Sequence, residues 1–397
     1  MNILVLNTGS SSVKFGLIAS GDERVLLDGT ADWTAKPAQL TLRHAGSPAA
    51  DSPLPADGCG PAVEHVLALL RKERTMEVAA VGHRVVHGGS VFTAGVVVTP
   101  AVKQALAGLA ELAPLHNPVN VEGIEAAEKA WPDVPHVAVF DTAFHATIPE
   151  AARTYAVPYQ WTQEWGLRRY GFHGLSHAYC SDRAAKMLGK GPHGLRVIVC
   201  HLGAGCSASA VRDGACVDTS MGFTPLDGLA MATRSGSVDP SILIHVLRHK
   251  GLNADDLDRV LNHESGLLGV GGASGDMRQV KAAACGGDGR ARLALDVYAH
   301  RLRQTIGGFA ATLGGVDALV FTAGVGEHDG EMRAAACRGL ECLGLQLNAA
   351  ANAICKPDAD VATQASRGRI LLIATREELT IVRETVRVLS QERRTAV

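Results

Sequence analysis

Asn2 to Lys14 reads N-I-L-V-L-N-T-G-S-S-S-V-K. Ile3, Leu4, Val5 and Leu6 form a short apolar run of the kind that makes a buried strand. The run stops at polar Asn7 and enters a turn of glycine and hydroxyl residues, Thr8-Gly9-Ser10-Ser11-Ser12, before a second apolar strand, Val13 to Ile18, that carries Lys14. Small residues let the backbone close around an anion, their N–H and O–H groups bind phosphate oxygens, and the lysine adds positive charge at close range. The stretch has neither G-x-x-x-x-G-K-[ST] nor G-x-G-x-x-G opening a helix, so it is neither a P-loop nor a Rossmann turn. Two readings stay open on these residues alone: a hairpin-type phosphate loop and an ordinary polar hairpin.

A similar unit recurs further along. Arg196 to His201 is an apolar strand ending in a polar residue, and Leu202-Gly203-Ala204-Gly205-Cys206-Ser207 is a glycine turn. Ala208 to Val211 begins a returning strand, with Asp213-Gly214 as the next hairpin turn. Two strand–turn–strand units suggest a duplicated fold in which each half presents one phosphate-facing hairpin toward a shared cleft. The competing reading is chance similarity of two hairpins.

Around these units strands and helices alternate, which indicates an α/β class. Helical patterns are expected over 61–74, from Thr99-Pro100 (an N-cap and a proline at the first helical position) to 113, over 118–130, from Asp239-Pro240 to 249, over 290–313 and from Glu377 to 393. Strands are expected over 78–86, 136–140, 318–322 and 369–374, and 37–61, rich in proline, alanine, glycine and aspartate, reads as a loose surface excursion. Four glycine turns follow apolar strands, at Gly9, Gly203 to Gly205, Gly271-Gly272 and Gly324 to Gly326. Together they suit a nucleotide wrapped by backbone from several sides.

Composition narrows the class. A chain of 397 residues exceeds the usual single domain, so two domains are expected, and 47% apolar residues are ample for two cores. A formal charge of −2 gives no reason to expect a nucleic-acid partner or an anionic membrane surface. No run approaches the ~18 apolar residues of a membrane span. Nine scattered cysteines without C-x-x-C argue against a disulfide framework and fit a reducing cytoplasm. The N-terminus lacks the pattern of a signal peptide, and a soluble, intracellular protein is expected.

Charged residues stand at strand ends and turns, where sites are usually built. Arg84 lies in H-R-V-V-H-G-G, His116 in L-H-N-P, Asp141 in F-D-T-A-F-H, His173 in G-F-H-G and Arg234 in A-T-R-S-G. Singly, each reads first as a surface ion pair or a satisfied core histidine. Arg84 and Arg234 are harder to dismiss, because arginine among small or apolar residues usually holds an anion.

Taken together, these segments resemble the acetate kinase family through nearly the whole chain. The motifs are N-T-G-S-S-S-V-K at 7–14, H-N-P at 116–118, F-D-T-A-F-H at 140–145, G-F-H-G at 171–174 and H-L-G at 201–203. D-T-S-M-G-F-T-P-L-D-G-L at 218–229, T-R-S-G at 233–236 and F-T-A-G-V-G-E at 321–327 complete them in the family's order. The resemblance implies a duplicated actin-like (ribonuclease H-like) two-domain kinase fold with an interdomain cleft. One domain would comprise 1–144 plus 379–397, and a nucleotide-binding domain 145–378. It also implies an ATP- and Mg2+-dependent (or Mn2+-dependent) transfer of the γ-phosphoryl group to acetate, reversible through acetyl phosphate and ADP, in a homodimer.

By the same resemblance, Arg84 and Arg234 would hold the carboxylate and the transferring phosphoryl group. His173 would stabilise the transition state, with His116 secondary, and Asp141 would orient an arginine or the metal-bound assembly. Asn7 and Glu377 would position the metal, and Lys14, Ser10 and Ser12 would face the phosphates. The nucleotide loops would be His201, Leu202, Gly203, Ala204 and Gly205; Asp276, Met277 and Arg278; and Gly324, Val325, Gly326, Glu327 and His328. Val86, Leu115, Phe172 and Pro225 would line a pocket for the acyl methyl. The acceptor carboxylate is already ionised at neutral pH, so the site needs positive charge and orientation rather than a general base.

The chain departs from the family's pattern at Ala204, His328 and Arg376, where the family has asparagine, and at Ser237, where it has aspartate. These changes bear on nucleotide preference and turnover. Three other readings remain at this stage. One is a propionate or short-chain acyl kinase of the same family, since one methylene changes binding by only ~1–3 kcal/mol. The others are a non-catalytic actin-like ATP-binding module and a sugar kinase with Asp141 as its base.

Overall fold

The computed structural model describes residues 1–56, 58–72, 77–114, 116–191 and 193–395. The chain divides into two compact units, Met1–Phe144 with Arg376–Val397, and His145–Thr375. The return to the first unit falls at Arg376, ahead of the 379 expected from sequence, because the whole helix Glu377–Thr395 packs on strands of that unit.

The first unit is built on β1 (Asn2–Thr8), β2 (Ser12–Ala19), β3 (Arg24–Asp32), β4 (Gln39–His44), β5 (Ala50–Pro53), β6 (Ala80–Val85), β7 (Val96–Val97) and β8 (His136–Phe140). Their order in the sheet is β5-β4-β3-β2-β1-β6-β8-β7. The β1–β2 and β2–β3 pairs are antiparallel, whereas β6 runs parallel to both β1 and β8. Side chains alternate across the sheet, so Leu4, Leu6, Val13 and Val81 fall in one core with Ala62, Val63, Val66 and Leu67 of helix Cys59–Lys72 and Ala126 and Ala127 of helix Asn117–Ala130. The opposite face takes helix Glu377–Thr395. A Cβ on Gly82 would stand 2.7 Å from Ile381 Cγ2 and Thr385 Oγ1, so only glycine lets helix and strand approach this closely.

Residues 37–61 are not the loose excursion expected. They hold β4 and β5, which extend the sheet from β3. Of these strands only Leu40 is buried, while Thr41 Oγ1 donates to Asp51 at 2.6 Å and Arg43 pairs with Asp28. A polar, exposed edge carries little hydrophobic period, and charge is how edges avoid pairing with other chains.

The second unit is built on β9 (Arg196–Leu202), β10 (Cys206–Arg212), β11 (Ala215–Thr219), β12 (Ala318–Thr322), β13 (Ala359–Asp360) and β14 (Arg369–Leu372), in the order β11-β10-β9-β12-β14-β13. The β10–β11 turn is Asp213-Gly214, with φ of 56° and 79°, the left-handed pair a tight hairpin requires. The series β11-β10-β9-β12-β14 repeats β3-β2-β1-β6-β8 strand for strand, with antiparallel pairs followed by parallel ones. This is the duplicated α/β, actin-like (ribonuclease H-like) architecture anticipated from the two hairpins.

Two glycine turns prove to be helical. Gly271 ends the short helix Gly266–Gly271, and Gly272 caps it at φ 88°. A run as short as G-L-L-G-V-G does not distinguish strand from helix by period. Ala323 to His328 is likewise a helix rather than a turn, although Ala323 itself sits at φ 64°. Among the described residues, no helix is long and apolar enough to cross a membrane.

Candidate active site

In the first unit the parallel pairing brings three strand ends level. Leu6 of β1 is opposite His83 of β6, and Val85 of β6 is opposite Phe140 of β8. Asn7, Arg84 and Asp141 therefore emerge side by side at the carboxyl ends of adjacent strands, the usual edge for ligand sites in α/β sheets. Arg84 Nε and Nη2 donate to Asp141 Oδ1 and Oδ2 at 3.2 and 2.5 Å, and Nη1 donates to Asn7 Oδ1 at 3.0 Å. Asp141 is 1% exposed. Burial opposes the charge on Arg84, but Asp141 and Glu377 more than offset it and hold the guanidinium above its ordinary pKa.

Lys14 pairs with Asn7 across the β1–β2 ladder, which puts both side chains on one face. Burial pushes the Glu377 carboxyl up; Arg84 pulls it down, Asp141 pushes it up again, and Lys14 pulls it down. Asn7, Lys14, Arg84, Asp141 and Glu377 thus form one electrostatic cluster. The hairpin that presents it is tight: Gly9 N–H donates to Ser12 O at 2.8 Å, and Trp33 Nε1 donates to Ser10 O at 3.2 Å.

In the second unit His173, at φ 56°, stands just before helix Gly174–Met187 and stacks on His201 with ring centroids 4.2 Å apart. Gly205, in the β9–β10 turn, lies beside it. A Cβ built there would be 3.4 Å from His173 Cε1, 3.5 Å from His173 Nε2 and 3.6 Å from Arg234 Nη1. The imidazole nitrogen and the guanidinium therefore converge on one spot that stays open because residue 205 has no side chain. Arg234 has no carboxylate partner among the described residues; its contacts are long ones, from Nη1 to Pro225 O at 3.5 Å and to Met231 Sδ at 4.0 Å. Burial lowers its pKa, with only Cys206 acting the other way. A half-buried guanidinium with most of its five donors unspent is a site for an anion.

Beside Gly203 and Ala204 opens a cavity of about 910 Å3, lined also by Ala232, Leu267, Asp276, Met277, Arg278, Tyr298, Gly324, Val325 and His328. Its size and its small, largely apolar lining suit a nucleotide-sized ligand. Asp276 caps helix Met277–Cys285 through Arg278 N–H at 2.8 Å, and Arg278 Nη2 pairs with it, so the Asp276 carboxyl is held down at about 2. Lys281, on the same wall, is held by Asp329 and Glu331.

Leu202, Gly205, Gly326 and Glu327 do not line the cavity. Glu327 Oε1 instead accepts the backbone N–H groups of Ala323 and Thr375, both at 2.9 Å. His201 Nδ1 meets Ser176 Oγ at 2.8 Å. Ser10 is exposed and Ser12 half-buried on the hairpin. His116 precedes helix Asn117–Ala130 in the first unit. Val86 belongs to the first unit and Phe172 and Pro225 to the second, with Phe172 buried and its carbonyl held by His145 Nε2. Leu115 lies outside the described residues.

Sequence reasoning missed four supports. Asn120 Nδ2 donates to Thr8 O at 2.7 Å and its Oδ1 accepts from Val86 N–H at 3.0 Å, tying the hairpin to the segment after Arg84. Asn117 does the same for both backbone groups of His87. N-P-V-N looks like ordinary helix-start chemistry, and nothing local shows these partners. Ser207 and His177, inside an apolar strand and a helix, gave no signal either, yet both touch the His173 system.

The model of the acetokinase family matches residues 2–383. The chain is 48% identical to an acetate kinase of Cyanothece sp. over 97% of both chains. It is also 48% identical to an acetate kinase of Leifsonia xyli over 98% of this chain and 99% of that one. Among solved structures it is similar to Porphyromonas gingivalis acetate kinase, with a TM-score of 0.90 at 38% identity over 98% and 99% of the two chains. A propionate kinase from Francisella tularensis gives a TM-score of 0.90 at 39% identity over 96% and 98%.

Proposed function

The chain belongs to the acetokinase family, and from that premise we propose that it phosphorylates acetate with ATP, reversibly, giving acetyl phosphate and ADP. The observation that carries the chemistry is the convergence of His173 Nε2 and the unpaired Arg234 guanidinium at Gly205. A carboxylate oxygen attacks the γ-phosphorus and the bond to the β-phosphate oxygen breaks. Charge on the transferring group is then what the protein must stabilise. Arg234 and His173 donate to that group, and Arg84, fixed by Asp141, orients the anionic acceptor. Asp141 spends both oxygens on Arg84, which suits a positioning role rather than proton abstraction. No base is required, because an acid of pKa about 4–5 is already ionised. This separates the reading from a sugar kinase, and the free Arg234 argues against a purely nucleotide-binding module.

Asn7 and Glu377 supply hard oxygen donors within one charged cluster, and among the described residues no group of three or more acidic, histidine or cysteine ligands occurs. Two oxygen ligands with the rest left to water and phosphate is the manner in which proteins hold Mg2+. When bound, the ion supplies charge neutralisation for the nucleotide phosphates. Lys14, Ser10 and Ser12 face the same phosphates, and the cavity at Ala204 and His328 takes the nucleoside. On the family resemblance, Val86, Phe172 and Pro225 would each contact the acyl methyl, with His116 a lesser contributor.

We further propose a cytoplasmic homodimer. Val238, Ile242, Ile244 and Leu247, on and just before helix Pro240–His249, are all at least 40% exposed and the helix buries none of its residues, leaving apolar surface that a second copy would cover.

Trapping acyl phosphate as the hydroxamate, with acetate, propionate and butyrate as acceptors, tests the activity. The highest kcat/KM is expected with acetate. Equal or better values on the larger acids would move the assignment to the propionate kinases, and no product at all would end the kinase reading.

A further inference from the structure

Ser207 Oγ lies 2.9 Å from His173 Nδ1 and 2.7 Å from His177 Nε2, and it is fully buried with no other partner among the described residues. A hydroxyl has one proton, so it cannot donate to both rings. His177 is also fully buried, and its Nδ1 has no hydrogen-bond partner among the described residues. Three proton arrangements are available. If Ser207 donates to His177, the proton of His177 must sit on Nδ1, a buried N–H with no acceptor. If both rings donate to Ser207, the hydroxyl proton is left without an acceptor. If His177 donates from Nε2 and Ser207 donates to His173 Nδ1, the lone pair of His177 Nδ1 is all that Ser207 and His177 leave unpaired. Orphaned buried donors are rarer and more costly than unfilled lone pairs.

We infer that the chain His177 Nε2–H to Ser207 Oγ–H to His173 Nδ1 fixes the tautomer of His173, so that its proton sits on Nε2, the nitrogen facing Arg234 at Gly205. Ser207 and His177 are positioning residues in this arrangement. His173 donates to the transferring phosphoryl group as a neutral imidazole and does not have to be protonated first. Burial, with His145 and His201 close by, keeps His177 neutral and hence in a single-proton form. His145 is held separately, between Phe172 O at 3.0 Å and Cys216 Sγ at 3.2 Å, and closes the other side of His177 edge-on at 5.7 Å. The inference rests on the kinase reading for its consequence but not for its proton count.

The test is long-range 15N–1H NMR on the intact enzyme labelled with [15N]histidine, with His173 and His177 assigned by their loss in single variants. Both rings are expected as the Nε2–H tautomer, and a His173 protonated at Nδ1 overturns the inference while leaving the kinase reading intact. In Ser207→Ala, His173 is expected to become a tautomer mixture, and kcat to fall by about tenfold or more with the KM for ATP unchanged. Ser207→Thr keeps the hydroxyl and is expected to restore both the spectrum and most of kcat. An unshifted His173 spectrum in folded Ser207→Ala also overturns the inference. Should the wild-type spectra show Nε2–H but no acyl phosphate form, the tautomer chain stands and the kinase reading fails.

Discussion

Arg84 and Asp141, at the ends of neighbouring parallel strands, meet side-on, with the guanidinium giving one hydrogen bond to each carboxylate oxygen at 3.2 and 2.5 Å. Removing the carboxylate leaves a buried charge with only Glu377 and Asn7 to offset it. Asp141→Ala is expected to destabilise the protein by about 3 kcal/mol, read as a lower urea midpoint, and to remove acyl phosphate formation. Wild-type stability in the variant would mean that the pair is not what holds Arg84.

Arg234 makes the opposite case. Its charge is half-buried and has no carboxylate beside it among the described residues, so it costs stability in the free protein. Arg234→Ala is therefore expected to lower kcat by about 10²–10³ while leaving Tm equal or higher and ADP affinity within about twofold. Thermal unfolding and calorimetric titration with ADP, set beside the hydroxamate assay, separate these effects. Unchanged acetate kinetics would refute the role given to this residue.

Asn120 joins two segments that each carry an active-site side chain. Asn120→Ala leaves Thr8 O and Val86 N–H without their partner and is expected to cost roughly 1–3 kcal/mol. Because Asn7 and Arg84 sit next to those groups, kcat should fall with nucleotide affinity preserved. A variant that loses neither stability nor kcat would show the tie to be idle.

Acid should unfold the protein through its buried histidines. Burial pushes His83, His136 and His177 below their ordinary range, and His87 down to about 4. The unfolded chain then binds more protons than the native one between the folded pKa values and about 6.5, so stability rises with pH across that window. Falling pH removes it, at up to about 1.4 kcal/mol per pH unit for each histidine. Urea midpoints between pH 4.5 and 7.5 check this, and a flat profile would show that these rings are not neutral in the native state.

What could be read from the sequence follows from how local the causes are. The hairpins at Asn7 and His201 announce themselves because an apolar run, a glycine and a return strand lie within a dozen residues. The polar strands at Gln39 and Ala50 do not, since their pairing partner supplies the order that their own pattern lacks. Glu327 reads as a loop residue, but it lies in a helix and its carboxylate also accepts the N–H of Thr375, 48 residues on, which nothing local announces. Asn117, Asn120, Ser207 and His177 act through partners far away in sequence, and a hydroxyl or amide gives no hint of which distant group it will meet.

Gly205 is the point where the second unit's chemistry depends on something missing. A Cβ at this position would lie in ordinary contact with both side chains, at 3.4 to 3.6 Å, so the backbone alone leaves the ground between them unclaimed. A side chain added there would enter the place that the proposed function gives to the transferring group, while the nucleotide cavity, which residue 205 does not line, would keep its walls. Such a change would set holding a nucleotide apart from using it.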